Sequence, residues 1–348
     1  MKQISFLLLI LMAGFQSKAK VWRINNNAGV VADYTSFYDA CTSTAVAAGD
    51  TLYVEPSTTD YATNSFTLSK RLVVIGPGYF LDPANTTTPG NAGLQVAKID
   101  SRIAWFRVGA AAAGSGFLGV TLQGIYLTST NNISFERDLF TGGLYYETGT
   151  EDNISIRKCF FNGQNISAAN TVTATNFVCE NSIFYNNGYI SLPNLAGSGN
   201  IVRNNSNING ANGWVLHNAY FVNNIIGCYS QSDLTSCTIK NNLFQVAQTL
   251  PGTATANLVS QDMTTIYVGG ATGSLDSRVV LKSGSPAIAA GLTVGTVSSP
   301  DCGAYGATDP YRLSGIPNIP SIYSLTVPTS IPSGTATVNI TFSSKNNN

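Results

Sequence analysis

Five stretches of this chain can be laid under one another: ISIRKCFF (154–161), FVCENSIF (177–184), NIVRNNSN (200–207), AYFVNNII (219–226) and CTIKNNLF (237–244). Each carries an apolar residue, an exchangeable one, two polar positions usually held by Asn, and a second apolar pair. The first apolar column is Ile156, Cys179, Val202, Phe221 and Ile239, with steps of 23, 23, 19 and 18 residues. A period near twenty, holding a short alternating strand and an Asn-rich corner, predicts a solenoid built from strands. The corner column is Lys158, Asn181, Asn204, Asn223 and Asn241. Asn tolerates the left-handed backbone that a sharp corner demands, and stacked amides can bond along the column. Asn204, Asn223 and Asn241 are therefore expected in one turn of the molecule, stacked on each other.

Only 10% of the 348 residues are charged, yet 44% are apolar, which favours a packed core over disorder. Eighteen basic residues balance eighteen acidic ones. Nothing here would neutralise a phosphate backbone, so nucleic acid is not an expected partner. The start reads as an export signal: Lys2, an apolar run from Ile4 to Phe15, and Ser17-Lys18-Ala19 as the cleavage site. That run is too short to span a bilayer and no later one is longer, so the expected product is secreted or surface-associated, with no membrane span. Six cysteines in an exported chain allow pairing. Cys228 and Cys237 flank the polar loop YSQSDLTS and are the local disulfide candidate, whereas Cys159 and Cys179 read as buried apolar fillers.

Taken in order, the expected organisation is a signal peptide over 1–19, an N-terminal cap over 20–49, a solenoid over 50–308 and an extended tail over 309–348. The cap holds the strand VWRI and a helix opened by Asp33 or Thr35 and running to Ala48, with Phe37, Cys41, Ala45 and Ala48 on one face. Residues 82–97 are polar and rich in Pro and Gly, and read as a loop. In the tail, 321–327 and 335–342 alternate as edge strands lying along or capping the last turns. The fold class is all-β: a right-handed parallel β-helix with a short N-terminal capping helix and an extended C-terminal tail.

GDTLYVEPST (49–58), KRLVVIGPGYFL (70–81), GSPAIAAG (284–291) and DCGAYGATDPYRLSGIPNIPSIY (301–323) together resemble the pectin-lyase-like right-handed parallel β-helix proteins, in particular secreted bacterial members of unassigned activity. The resemblance spans nearly the whole chain after the signal. It implies the fold; it does not imply one activity, because this architecture hosts lyases, hydrolases, esterases and adhesins.

The motifs that polygalacturonase-like hydrolases share (Asn-Thr-Asp, Asp-Asp, Gly-His-Gly, Arg-x-Lys) are absent. Glu136 and Asp138, two apart in a strand, would share a face, as paired carboxylates for inverting hydrolysis must, although a solvated strand edge is the favoured reading. Glu151 and Asp152 read as loop surface. The lone His217 reads as structural or merely exposed. A lyase would need Ca²⁺ held by clustered carboxylates, and no Asp-rich loop supplies one, so no cofactor is expected unless the protein is a lyase. No zinc spacing occurs.

One pattern remains. The exchangeable column is Arg157, Glu180, Arg203, Val222 and Lys240, one residue from the inward column and therefore outward. Arg157, Glu180, Arg203 and Lys240 are the candidate ligand contacts. The competing reading is a solubilising ladder in which Glu180 bridges the two arginines. As a ligand site the stripe is locally positive and would take an anionic glycan. Tyr185, Tyr189, Trp214, Tyr220 and Tyr229, near the same turns, could form a platform for sugar rings. The expected function is a non-catalytic β-helix that binds a polysaccharide or cell-surface glycan; the alternative is a polysaccharide lyase or glycoside hydrolase on an extracellular acidic polysaccharide.

Overall fold

The inward column closes into strand pairing. Ile156 lies beside Cys179, Cys179 beside Val202, Val202 beside Phe221 and Phe221 beside Ile239, all in parallel register. The computed structural model describes residues 19–82, 99–331, 333–334 and 337–346. The expected signal up to its last residue, and all but the first residue of the expected loop over 82–97, lie outside them. Three parallel sheets, of twelve, eight and seven strands, run the length of the molecule. Together they make a parallel β-solenoid of about eight turns, consistent with a right-handed parallel β-helix. Among the described residues no helix is long and apolar enough to cross a membrane.

Apolar residues from all three sheets fill the interior. Phe140, Phe161 and Phe184 occupy one register position on three successive turns of the second sheet. Their rings stack at 4.4 and 4.6 Å, each pair 4° from parallel, with no solvent exposure. The neighbouring corner is polar. Asn205, Asn224, Asn242 and Asn257 each accept, on Oδ1, the backbone N–H of the turn before, at 2.9–3.0 Å. Amide N–H groups extend the chain from Asn205 to Asn224, Asn242 and Asn257, at 3.0 Å each. This buried ladder stands one residue beyond the column expected to form it.

The expected column does share one corner. Lys158, Asn181, Asn204, Asn223 and Asn241 have φ between 50° and 57°, the left-handed region that Asn enters most easily. Their side chains face outward and grip a returning segment. Asn241 donates to Ala290 O, Asn223 to Leu292 O, Asn204 to Asp301 O, and Asn181 to Ala304 O and Gly306 O. Lys158 meets Asp309 at 2.5 Å, and one turn earlier Arg137 donates to Ile316 O at 2.6 Å. The chain thus travels back along the outside of the turns. A buried cluster anchors its far end: the Tyr79 and Tyr311 hydroxyls lie 2.6 Å apart, and Asp276 accepts from Ser314 N at 2.7 Å.

Two expectations about the ends differ from this picture. The last parallel bridges are Lys240–Thr255 and Leu243–Leu258, so the turns stop short of residue 308; beyond them the period of twenty is lost and the chain becomes the outer strap. The first helix is only Phe37–Thr42, capped by the Ser36 side chain. Phe37, Ala40 and Cys41 enter the core, whereas Ala45 and Ala48 are exposed, because the helix ends at Ser43. In the tail, Ser321–Thr326 and Thr341–Lys345 pair antiparallel with each other.

Asp138 occupies the ladder's corner position three turns before Asn205. It is wholly buried, with Oδ1 accepting from Val120 N at 3.0 Å and Oδ2 without a hydrogen-bond partner. Burial pushes its carboxyl well above the usual range, and the nearby Glu136 charge adds to this. The folded protein then holds a proton here that the unfolded chain releases near pH 4. Stability from this group is full below that pH and falls as pH rises through the folded value. Asp138→Asn supplies the amide that Asn205, Asn224 and Asn242 use. Urea unfolding at pH 4 and pH 8 should show the variant gaining on the parent as pH rises. An unchanged difference at the two pH values would mean that Asp138 is charged in the folded state.

Candidate functional site

The charged stripe is real as geometry. Glu136, Arg157, Glu180 and Arg203 are strand neighbours in that order. Glu180 is buried between the arginines, 3.2 Å from Arg157 and in contact with Arg203. Lys158, 5% exposed at its side chain, lies 3.3 Å from Glu136 as well as against Asp309. The recess lined by Arg157, Lys158, Glu180 and Arg203, with Asn181 and strap residues 307–309, measures about 80 Å³. Glu136 and Asp309 thus join the stripe: Arg157, Arg203 and Lys158 meet Glu180, Glu136 and Asp309, and Arg137 also comes within 3.8 Å of Glu136. Lys240 is cut off from Arg203 by the buried Val222. The recess is small, internally paired and partly roofed by the strap.

The other sequence candidates scatter. Arg137, at φ 56°, ends the strand between Glu136 and Asp138, turning the first outward and the second into the core. That separates the proposed carboxylate pair. Glu151 is buried in the strand Thr150–Arg157, where its two oxygens accept Ser129 N and Thr130 N at 2.8 Å; it caps a corner and is not loop surface. His217 lies 3.1 Å from Asp233. All six cysteines are buried free thiols, and those of Cys228 and Cys237 donate to Ser230 O and Leu216 O. Trp214 and Tyr185 are core residues, and Tyr229 stands alone at 66% exposure. Tyr189 packs against the core and Tyr220 is half-buried, and among the described residues no two of these five rings are in contact.

A platform does form elsewhere, on the third sheet. Phe106–Gly109, Ile125–Thr128 and Leu144–Thr148 are its neighbouring strands. Alternation buries Phe106, Ile125 and Leu144 and sends Arg107, Tyr126 and Tyr145 outward in one register column. Trp105 stands just before that column, 37% exposed. Gly124 lies in register against it: a Cβ there would crowd Trp105 Cβ at 3.3 Å. Trp105 and Tyr126 rings are 5.5 Å apart at 65°, and Tyr126 and Tyr145 are 5.8 Å apart at 73°. The Arg107 guanidinium lies 5.4 Å from both the Trp105 and the Tyr126 ring, holding them in place by cation–π attraction.

These rings border a groove of about 450 Å³ whose other walls include Gln123, Gly143, Asn165 and Ser167. Arg107 grips Glu147 by two bonds, Nε to Oε2 at 2.7 Å and Nη2 to Oε1 at 2.8 Å. Those bonds hold Glu147 below the usual carboxylate range, so the pair stays ionised. At the rim, Gln123 donates to Asp60 at 2.6 Å, and Asp60 is itself 2.7 Å from Arg102. The groove therefore offers aromatic faces, uncharged amides and a hydroxyl, while the Arg107–Glu147 and Arg102–Asp60 pairs lie beside its lining residues rather than among them. The signal for it was present in WFR, IYL and LYY, but these turns lack the Asn corners that flagged the later ones. Among the described residues no three His, Cys, Asp or Glu side chains are placed to hold a metal ion. Comparison with protein-family models finds no match for this chain, and neither does comparison with curated proteins.

Proposed function

We propose that the protein is a secreted or surface-associated β-helix that binds glycans without turning them over, through the aromatic groove of its third sheet. The observation that carries this reading is the run of exposed Trp105 and half-buried Tyr126 and Tyr145, one ring per turn beside a groove lined by amides and a hydroxyl. Large aromatic rings exposed in a cleft are costly to leave in water and are the usual anchors of a binding surface. The apolar face of a sugar ring fits such an anchor, while its hydroxyls meet side-chain amides.

Trp105→Ala should weaken glycan retention about tenfold or more, as loss of a central Trp anchor does. Retardation of parent and variant in gels containing dissolved polysaccharides measures this. Equal retardation of the two proteins would remove the groove from the function. The rival reading, a lyase or hydrolase, predicts unsaturated products or new reducing ends when the same polysaccharides are incubated with the parent. Sustained turnover of any of them would replace the binding reading with the enzymatic one.

A further inference from the structure

Resting on the groove as the glycan site, we infer that its ligand is a single soluble chain of uncharged sugars, and that the Arg107–Glu147 pair is what excludes acidic chains. The uncharged walls and the ion pair flanking them, with the Arg107 guanidinium 5.4 Å from the Trp105 and Tyr126 rings, give the first part. A uronate or sulfate is bound well where an arginine fork is free to take it bidentately. Here Nε and Nη2 of Arg107 are both engaged by Glu147. A second anion would have to displace that carboxylate or lie beside it, and like charges at such range cost affinity. The next carboxylate, Asp60, takes one bond from Arg102 Nε and one from Gln123 Nε2. What remains for a ligand is neutral: Asn165 and Ser167 have no side-chain hydrogen bond within the described protein. A hydroxyl can both donate to and accept from such groups.

The tilt of the rings gives the second part. A flat crystalline polysaccharide needs aromatic faces in one plane. Tyr126 is turned 65° from Trp105 and 73° from Tyr145, so no such plane exists. A chain free to rotate between successive sugars can follow faces that turn.

The experiment uses a soluble neutral β-glucan, its carboxymethylated derivative and particulate cellulose, with the parent, Trp105→Ala and Glu147→Gln proteins. Trp fluorescence and pull-down report binding, and unchanged thermal unfolding confirms the folded state. The parent should bind the neutral chain at least tenfold more tightly than the carboxymethylated one at low salt, and more tightly than the particles. Glu147→Gln, which frees Arg107, should raise affinity for the carboxymethylated chain several-fold at low salt, and salt should abolish that gain. Preference of the parent for the acidic chain, lost in Trp105→Ala, would leave the groove as the site and overturn its neutrality. An unresponsive Glu147→Gln would overturn the role of the pair, and stronger capture by particles would overturn the single chain. Failure to bind any of the three, or binding indifferent to Trp105→Ala, would overturn the groove itself and this inference with it.

Discussion

Asn224→Leu should lower the free energy of unfolding by about 3–5 kcal/mol, although leucine is apolar and nearly the same size. Asn224 sits in the buried corner and works in both directions. Its Oδ1 accepts from Asn205 N at 2.9 Å and from Asn205 Nδ2 at 3.0 Å. Its Nδ2 donates to Val202 O at 2.9 Å and to Asn242 Oδ1 at 3.0 Å. Leucine removes all four bonds and leaves donors on Asn205 facing hydrocarbon, where each unmet group costs about 1–3 kcal/mol. Asn194→Ala, at an exposed position with one bond to Asn170 O, should cost less than about 1 kcal/mol. Urea titrations of the two variants beside the parent measure the contrast. Near-equal losses would mean that water, not the neighbouring amides, satisfies the corner.

Phe161→Ala should be comparably damaging, at about 3–5 kcal/mol. The ring lies between Phe140 and Phe184 with both neighbours stacked almost parallel on it. Removing it takes away buried apolar area and two ring contacts at once, in an interior whose walls are hydrogen-bonded sheets that cannot easily close on the gap. Phe161→Leu should recover about half or more of the loss by filling most of the space. The readout is the urea midpoint at unchanged slope. A Phe161→Ala loss under about 1.5 kcal/mol would show that the strands do close on the gap.

How far the sequence leads depends on whether the partners of a residue lie in its own column. Ile156, Cys179, Val202, Phe221 and Ile239 could be aligned by eye because repetition fixes register, and the pairing follows that alignment residue for residue. The same repetition placed the left-handed asparagines. It could not say that Asn204, Asn223 and Asn241 look outward while Asn205, Asn224 and Asn242 look in, since both columns hold the same residue. The stripe around Glu180 seemed positive because Asp309 is brought to Lys158 from 151 residues away by the returning strap. Trp105, Tyr126 and Tyr145 went unread for a related reason. Their turns step evenly, with Arg107, Tyr126 and Tyr145 each 19 residues apart, but share no corner asparagine to mark the repeat, so strand register is what shows that they are neighbours.

The returning strap changes how such a rod comes apart. In a stack whose turns touch only those above and below, each end can peel away alone, and stability is a sum of local terms. Here the backbone that leaves the last turn is tied successively to Asn241, Asn223, Asn204, Asn181, Lys158 and Arg137. Like the spine of a bound book, it fastens pages that do not touch. Peeling the final turn would also strip the fastening from the turns beneath it. Fraying at that end therefore costs more than in a stack without the strap, and the repeat loses the independence of its parts.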